Sequence, residues 1–260
     1  MDYETIAVEK SDIGIIITIN RPQQRNSINN KLLEEINRVL DQVEEDERCR
    51  LVVLAGQPGT FCTGMDFEEF SSLKSQQGTA PLKTAPNPYM ATLKRFTLIP
   101  RVVIAVVDGQ VMAGGVGLAA ASDLVIATPR SQFCLSEALW GLLPAMVTPF
   151  LVRRVGFQAA YRMTLTTAPV HSREALDMKL VDEISESPFD SVHRLWLRLS
   201  KLSVPTLRNL KEYFRKMWLI NEAMENIAIT EIERLSSDPR VIENISNYVK
   251  YGKFPWEGLA

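Results

Sequence analysis

The stretch Gly109–Glu137, GQVMAGGVGLAAASDLVIATPRSQFCLSE, decides how the chain is read. An apolar strand, IAVVDGQV at 104–111, runs into it and breaks at Ala113-Gly114-Gly115. A small-residue run, VGLAAAS, leads to Asp123, and a second apolar strand, LVIAT, follows. Strand, glycine turn, helix and strand in this order predict an α/β fold. Glycines at such a turn let a ligand come close to the backbone, because no Cβ stands in the way. The first helical turn offers N–H groups without partners, which can hold an anion or an oxygen that becomes one. Glu137 lies beyond the second strand, between Leu135 and Ala138-Leu139-Trp140, a carboxylate in mostly apolar company. A donor-lined turn and an isolated carboxylate together point to proton chemistry beside a carbonyl.

Upstream, 4–9 and 13–19 read as two strands joined through Ser11-Asp12. Residues 29–45 carry apolar side chains at 32, 33, 36, 39, 40 and 43, which is helical spacing, with Asn29 or Asn30 as N-cap. LVVLAG at 51–56 is a short buried strand, and PGTFCTGMD at 58–66 is a loop before a helix starting near Phe67. Residues 74–88 are polar and rich in Pro and Gly, and are expected to form a mobile loop. Downstream, FQAAYRMTLTTA reads as a short helix, and Ser172 is expected to cap a helix over 172–180. Beyond about 190 the pattern is all helical, through Pro205 and a continuous run at 206–235. The expected organisation is therefore an α/β core with the active site over 1–190, and a helical oligomerisation section over 191–260. Trp196, Phe214, Met217 and Trp218 are expected in the core or at a subunit interface.

Composition excludes several classes. With 29 basic and 31 acidic residues the net charge is −2, so bulk charge makes no case for nucleic acid. No apolar run is long enough to span a membrane, and MDYETIAVEKSD carries no signal-peptide core. Cys49, Cys62 and Cys134 are few and widely spaced, which predicts reduced thiols, a cytoplasmic protein and no metal site. Two histidines, at 171 and 193, argue against an imidazole triad.

Four features resemble the crotonase (enoyl-CoA hydratase/isomerase) superfamily. They are Asn20-Arg21-Pro22 with Arg25-Asn26-Ser27, the loop Phe61-Cys62-Thr63-Gly64-Met65-Asp66, the turn Ala113-Gly114-Gly115 closing at Asp123, and Glu137 with Gly141 and Pro144. They span nearly the whole chain in the right order. The resemblance implies a spiral of repeated ββα units with a C-terminal helical section, assembled as a homotrimer or a dimer of trimers. It implies a thioester oxyanion hole built from the Met65 and Gly114 N–H groups, with no cofactor beyond the phosphopantetheine or CoA arm that carries the substrate. In the superfamily's hydratases a second glutamate follows the glycine turn; here that position is Gly117.

That departure, with SEALWGLLPAMVTPFLVRRVG and the ending YVKYGKFPWEG, is similar to one subgroup, the polyketide β-branching dehydratases. They act on acyl chains tethered to an acyl carrier protein. The resemblance implies dehydration of 3-hydroxy-3-methylglutaryl thioester to 3-methylglutaconyl thioester, with Glu137 as base. Glu137 itself, Tyr89 or a water would supply the proton to the departing hydroxyl. Arg25 matches a basic position that contacts the pantetheine arm or nucleotide phosphate, and Asp66 reads as a helix cap. Gly115 and Gly117 complete the turn that receives the substrate. Arg25, Lys74, Lys83, Lys94, Arg95, Lys250 and Lys253 are candidates for a basic patch facing an acidic carrier protein. Two alternatives stay open: an isomerase or decarboxylase of the same fold, and a non-catalytic carrier-binding protein.

Overall fold

The computed structural model describes residues 3–11, 14–77, 87–218 and 221–257. The chain opens with an antiparallel pair, β1 (Ile6–Ser11) and β2 (Gly14–Ile19). The expected corner at Asp12 lies outside the described residues. Helix α1 (Asn30–Glu45) follows; Asn29 caps it by accepting the Leu32 N–H at 2.9 Å, and the apolar positions from Leu32 to Val43 are buried. A pattern of two strands and then helix comes next, three times over. First are β3 (Leu51–Ala55) and β4 (Thr60–Cys62) with α2 (Phe67–Gln77) and α3 (Pro88–Leu98). Then come β5 (Val102–Val107) and β6 (Gln110–Met112) with α4 (Gly114–Ala121). β7 (Leu124–Ala127) and β8 (Gln132–Cys134) lead to α5 (Thr148–Thr166). The short strands β9 (Val170–His171) and β10 (Glu183–Ile184) flank α6 (Ser172–Asp177). From β3 to β8 successive strands alternate between two sheets, one ordered β1-β2-β3-β5-β7-β10 and the other β4-β6-β8-β9. This is the expected ββα spiral.

Strand β5, VVIAVV, is buried throughout, because a parallel sheet is covered on both faces. Val103, Ala105 and Val107 join the main core, whereas Val102, Ile104 and Val106 face a second cluster with Val192 and Leu207. That second face is closed by α7 (Pro188–Leu199) and α8 (Val204–Lys216). The expected boundary at 190 therefore falls inside α7. The last helices are α9 (Glu222–Ser236) and α10 (Pro239–Tyr251), and α10 packs against α2.

Several expectations are corrected. Residues 74–77 are the last turn of α2 rather than loop, and 78–86 lie outside the described residues. The N-cap of α6 is His171; Ser172 is the first helical residue and donates its hydroxyl to Pro129 O at 2.8 Å. The run at 206–235 is broken, with Asn221 capping α9 by accepting the Met224 N–H at 3.2 Å. FQAAYRMTLTTA is the short helix expected: Gly156, at φ +77° and ψ 168°, breaks α5, and the part after it runs to Thr166 with Thr167 as C-cap. Of the residues expected in the core or at a subunit interface, Trp196 and Trp218 pack on the core as expected, and Phe214 and Met217 are exposed on the single chain, where an interface could cover them. No helix among the described residues is long and apolar enough to cross a membrane.

Candidate active site

A cavity of about 260 Å³ opens between the start of α1, α2, α3, the start of α4, the segment 136–147 and α9. Its floor is the pair of turns marked in the sequence. Met65 and Gly114 both line it, and among the described residues no acceptor is bonded to either backbone N–H. The Met65 segment is pinned from both sides: Ile28 N–H donates to Gly64 O at 2.7 Å, and Asp66 N–H donates to Ile28 O at 2.9 Å. The Met65 N–H is thereby left over for the cavity.

The second donor turn is close-packed and strained. Ala113 sits at φ +49°, ψ −119°, a region costly for a residue with a Cβ. It is held by donating its N–H to Cys134 O at 2.8 Å. A Cβ on Gly64 would lie 2.7 Å from the Ala113 Cβ and 3.2 Å from the Gly114 nitrogen, so the two turns abut. A Cβ on Gly115 would lie 2.5 Å from Cys62 O, which explains that glycine by packing of α4 on β4. Neither Gly115 nor Gly117 lines the cavity.

Glu137 begins the short turn Glu137–Trp140 and lines the same cavity. The residue is half-buried, but its Oε2 is sealed from solvent and without a hydrogen-bond partner. Burial pushes its carboxyl up to about 7. A carboxylate of that strength is half-charged near neutral pH and suits general-base work.

The remaining expected residues divide. Tyr89 lines the cavity, is 9% exposed and donates its hydroxyl to Gly114 O at 2.6 Å. Asp66 lines it too, but both its oxygens are committed. Oδ1 caps α2 by accepting the Glu68 and Glu69 N–H groups at 3.0 and 3.1 Å. Oδ2 accepts from Arg21 at 2.8 Å and from Ser27 at 3.1 Å. Burial would raise the Asp66 carboxyl, but the Arg21 and backbone hydrogen bonds outweigh it and hold it below the usual range. Arg25 is exposed outside the cavity lining and donates to Gln110.

The expected basic patch is corrected at three of its seven positions. Lys74 is 3% exposed, Lys94 pairs with Glu225 at 2.8 Å, and Arg95 pairs with Asp41 at 2.6 Å and with Glu44. Arg25, Lys250 and Lys253 stay exposed, and Lys83 lies outside the described residues.

Sequence reasoning missed much of the wall. Phe67 and Trp140, with ring centroids 4.8 Å apart, form its apolar side. Ile232, Glu233 and Ser236 reach it from α9, across more than ninety residues of chain, and no local signal marks them. Glu69 also lines it; burial raises its carboxyl, and it accepts the Asn30 N–H at 3.2 Å. Among the described residues no lysine or arginine lines the cavity.

The enoyl-CoA hydratase/isomerase family matches over residues 9–258. The Bacillus subtilis bacillaene synthase dehydratase PksH is 36% identical over 256 residues, covering 98% of this chain and 97% of that protein. The crystal structure of the B. subtilis polyketide biosynthesis enoyl-CoA hydratase (pksH) superposes with a TM-score of 0.91 at 35% identity, covering 98% of this chain and 100% of that one. An enoyl-CoA hydratase from Mycobacterium avium superposes with a TM-score of 0.81 at 26% identity, covering 98% and 99%.

Proposed function

This chain belongs to the enoyl-CoA hydratase/isomerase family and is a lyase of its hydratase kind, and from that premise we propose that it dehydrates 3-hydroxy-3-methylglutaryl-acyl carrier protein to the 3-methylglutaconyl thioester in polyketide β-branching. The observation that carries this reading is the Glu137 Oε2, buried without a hydrogen-bond partner in the cavity that the unused Met65 and Gly114 N–H groups also line, with no carboxylate at Gly117. Full-length similarity to a polyketide dehydratase supports it.

The thioester carbonyl oxygen accepts from the Met65 and Gly114 N–H groups. Glu137 takes the proton from C2, and the negative charge moves to that oxygen. Two fixed donors in a water-poor site stabilise it, each worth about 3–4 kcal/mol. The enolate then collapses, the C3–O bond breaks, and the departing hydroxide takes the proton back from Glu137 as water. One carboxylate thus serves as base and then acid on one face, and ends the cycle ionised. The phosphopantetheine arm of an acyl carrier protein presents the acyl chain, and Arg25, Lys250 and Lys253 are the exposed cations left to meet that partner.

Assembly as a trimer, or a dimer of trimers, is part of the proposal. Phe157, Tyr161 and Leu165 stand on one face of α5 at four-residue intervals, 69%, 52% and 67% exposed on the single chain. Such a stripe is normally covered.

The test is mass spectrometry of carrier protein loaded with the 3-hydroxy-3-methylglutaryl group. Loss of one water supports dehydration. Loss of carbon dioxide would replace it by decarboxylation; an isomerase would leave this substrate unchanged and instead shift the double bond of a carrier loaded with the 3-methylglutaconyl group. Binding without turnover would leave only a carrier-binding protein.

A further inference from the structure

Tyr89 sits in the first turn of α3, which Asn87 fixes by accepting the Tyr89 and Met90 N–H groups, both at 3.1 Å. Its ring reaches across to α4, and its hydroxyl donates to Gly114 O at 2.6 Å. Burial, reinforced by nearby Cys62 and Glu137, pushes the hydroxyl well above its ordinary range, so it stays protonated and stays a donor. On the next turn of α4, a Cβ at Gly117 would lie 2.0 Å from that hydroxyl oxygen, 3.2 Å from the ring carbon bearing it, and 3.0 Å from a Val147 methyl.

We propose that Tyr89 is a positioning residue that anchors the donor turn of α4, and that Gly117 is glycine because the Tyr89 hydroxyl occupies its side-chain space. Two successive glycines at a helix start have the greatest backbone freedom of any pair. Ala113, just before them, is strained, so the turn needs an external hold. Tyr89 supplies it through the Gly114 carbonyl, which keeps the Gly114 N–H aimed into the cavity. The same hydroxyl blocks any side chain at 117. A carboxylate at 117 is therefore excluded by packing, and the elimination runs on Glu137 with no acid from that position. This last consequence rests on the dehydratase reading; the anchoring and the exclusion do not.

The test is a double-mutant cycle of Tyr89→Phe, Gly117→Ala and the pair. Thermal melting of the four proteins needs no substrate. Gly117→Ala is expected to lower Tm clearly in the native background and much less beside Tyr89→Phe, where the blocking oxygen is gone. Additive effects, or a harmless Gly117→Ala in the native background, would overturn the packing claim. With the carrier-bound substrate, Tyr89→Phe is expected to lower kcat about tenfold, the scale of one hydrogen bond, with KM within about twofold. Its pH profile should keep the same acidic limb. Unchanged kcat would overturn the anchoring role, and loss of an alkaline limb would make Tyr89 a proton donor instead. Glu137→Gln separates the two readings: if that variant still dehydrates, the mechanism falls while the melting cycle stands or falls by itself.

Discussion

The two ends of α4 are built for opposite purposes. At its start, strained Ala113 and two glycines leave the Gly114 N–H without an acceptor, facing the cavity. At its finish every device for satisfying carbonyls is present. Arg153 donates to Ala120 O and, at 3.1 Å, to Ser122 O; Arg154 donates to Ser122 O at 3.0 Å. Asp123 is locked to β5 by accepting the Val103 N–H at 2.7 Å and pairs with buried Lys211 at 2.7 Å. Arg153 lies 4.8 Å over the Trp218 ring. Burial pushes its guanidinium down to about 10, so it is still charged at neutral pH. Cations suit a helix C-terminus, where the backbone dipoles leave partial negative charge. An end tied down this firmly lets the other keep an unpaired N–H beside the cavity.

The largest effect should come from removing what the open end serves. Glu137→Gln is expected to cut dehydration by about a thousandfold, measured by single-turnover assay, while the chain stays folded. A variant with near-native turnover would end the assignment. The same carboxyl sets the pH dependence. The base must be ionised, so kcat/KM should fall about tenfold per unit below about pH 7, where Glu137 takes up its proton.

Stability runs the other way. Between its ordinary 4.5 and about 7 the folded chain holds a proton that the unfolded chain has lost. Folding therefore weakens as pH rises through that window. Glu137→Gln should escape this loss and gain about 1–3 kcal/mol over the native protein on going from pH 4 to pH 8, read by chemical denaturation.

At the closed end, Arg153→Met deprives the Ala120 carbonyl of its guanidinium and should cost about 2 kcal/mol of stability. If the two ends do separate work, kcat should change far less than Tm; a variant that melts normally but turns over poorly would break the contrast. The smallest effect is expected from Ala113→Gly. Relief of strain and added unfolded-state freedom oppose each other, leaving a net change within about 1 kcal/mol in equilibrium unfolding.

Much of this site is legible in local sequence. The glycine turn, the apolar strands around it, the Asn29 cap and the Asp66 cap are set within a few residues, and the structure contains each of them. Glu137 stood out because its neighbours are apolar. The basic patch misled, because whether Lys94 or Arg95 is free depends on Glu225, Asp41 and Glu44, which sequence distance does not bring to mind. Ser172 misled because its hydroxyl found Pro129 O across the fold rather than its own helix start.

Sequence alone determined the ββα order, the glycine turn at Gly114, the Glu137 carboxylate in apolar company and the glycine at 117, while Met65 came from the resemblance to the family. Hydrophobic period, glycine placement and capping are short-range properties, readable in windows of a dozen residues. Only the tertiary structure decided what fills the space beside 117, what raises the Glu137 carboxyl toward neutral pH, and that α9 closes over the cavity. Those answers depend on which distant groups exclude water and fill space around a residue, and burial and packing are properties of the assembled fold rather than of any stretch within it.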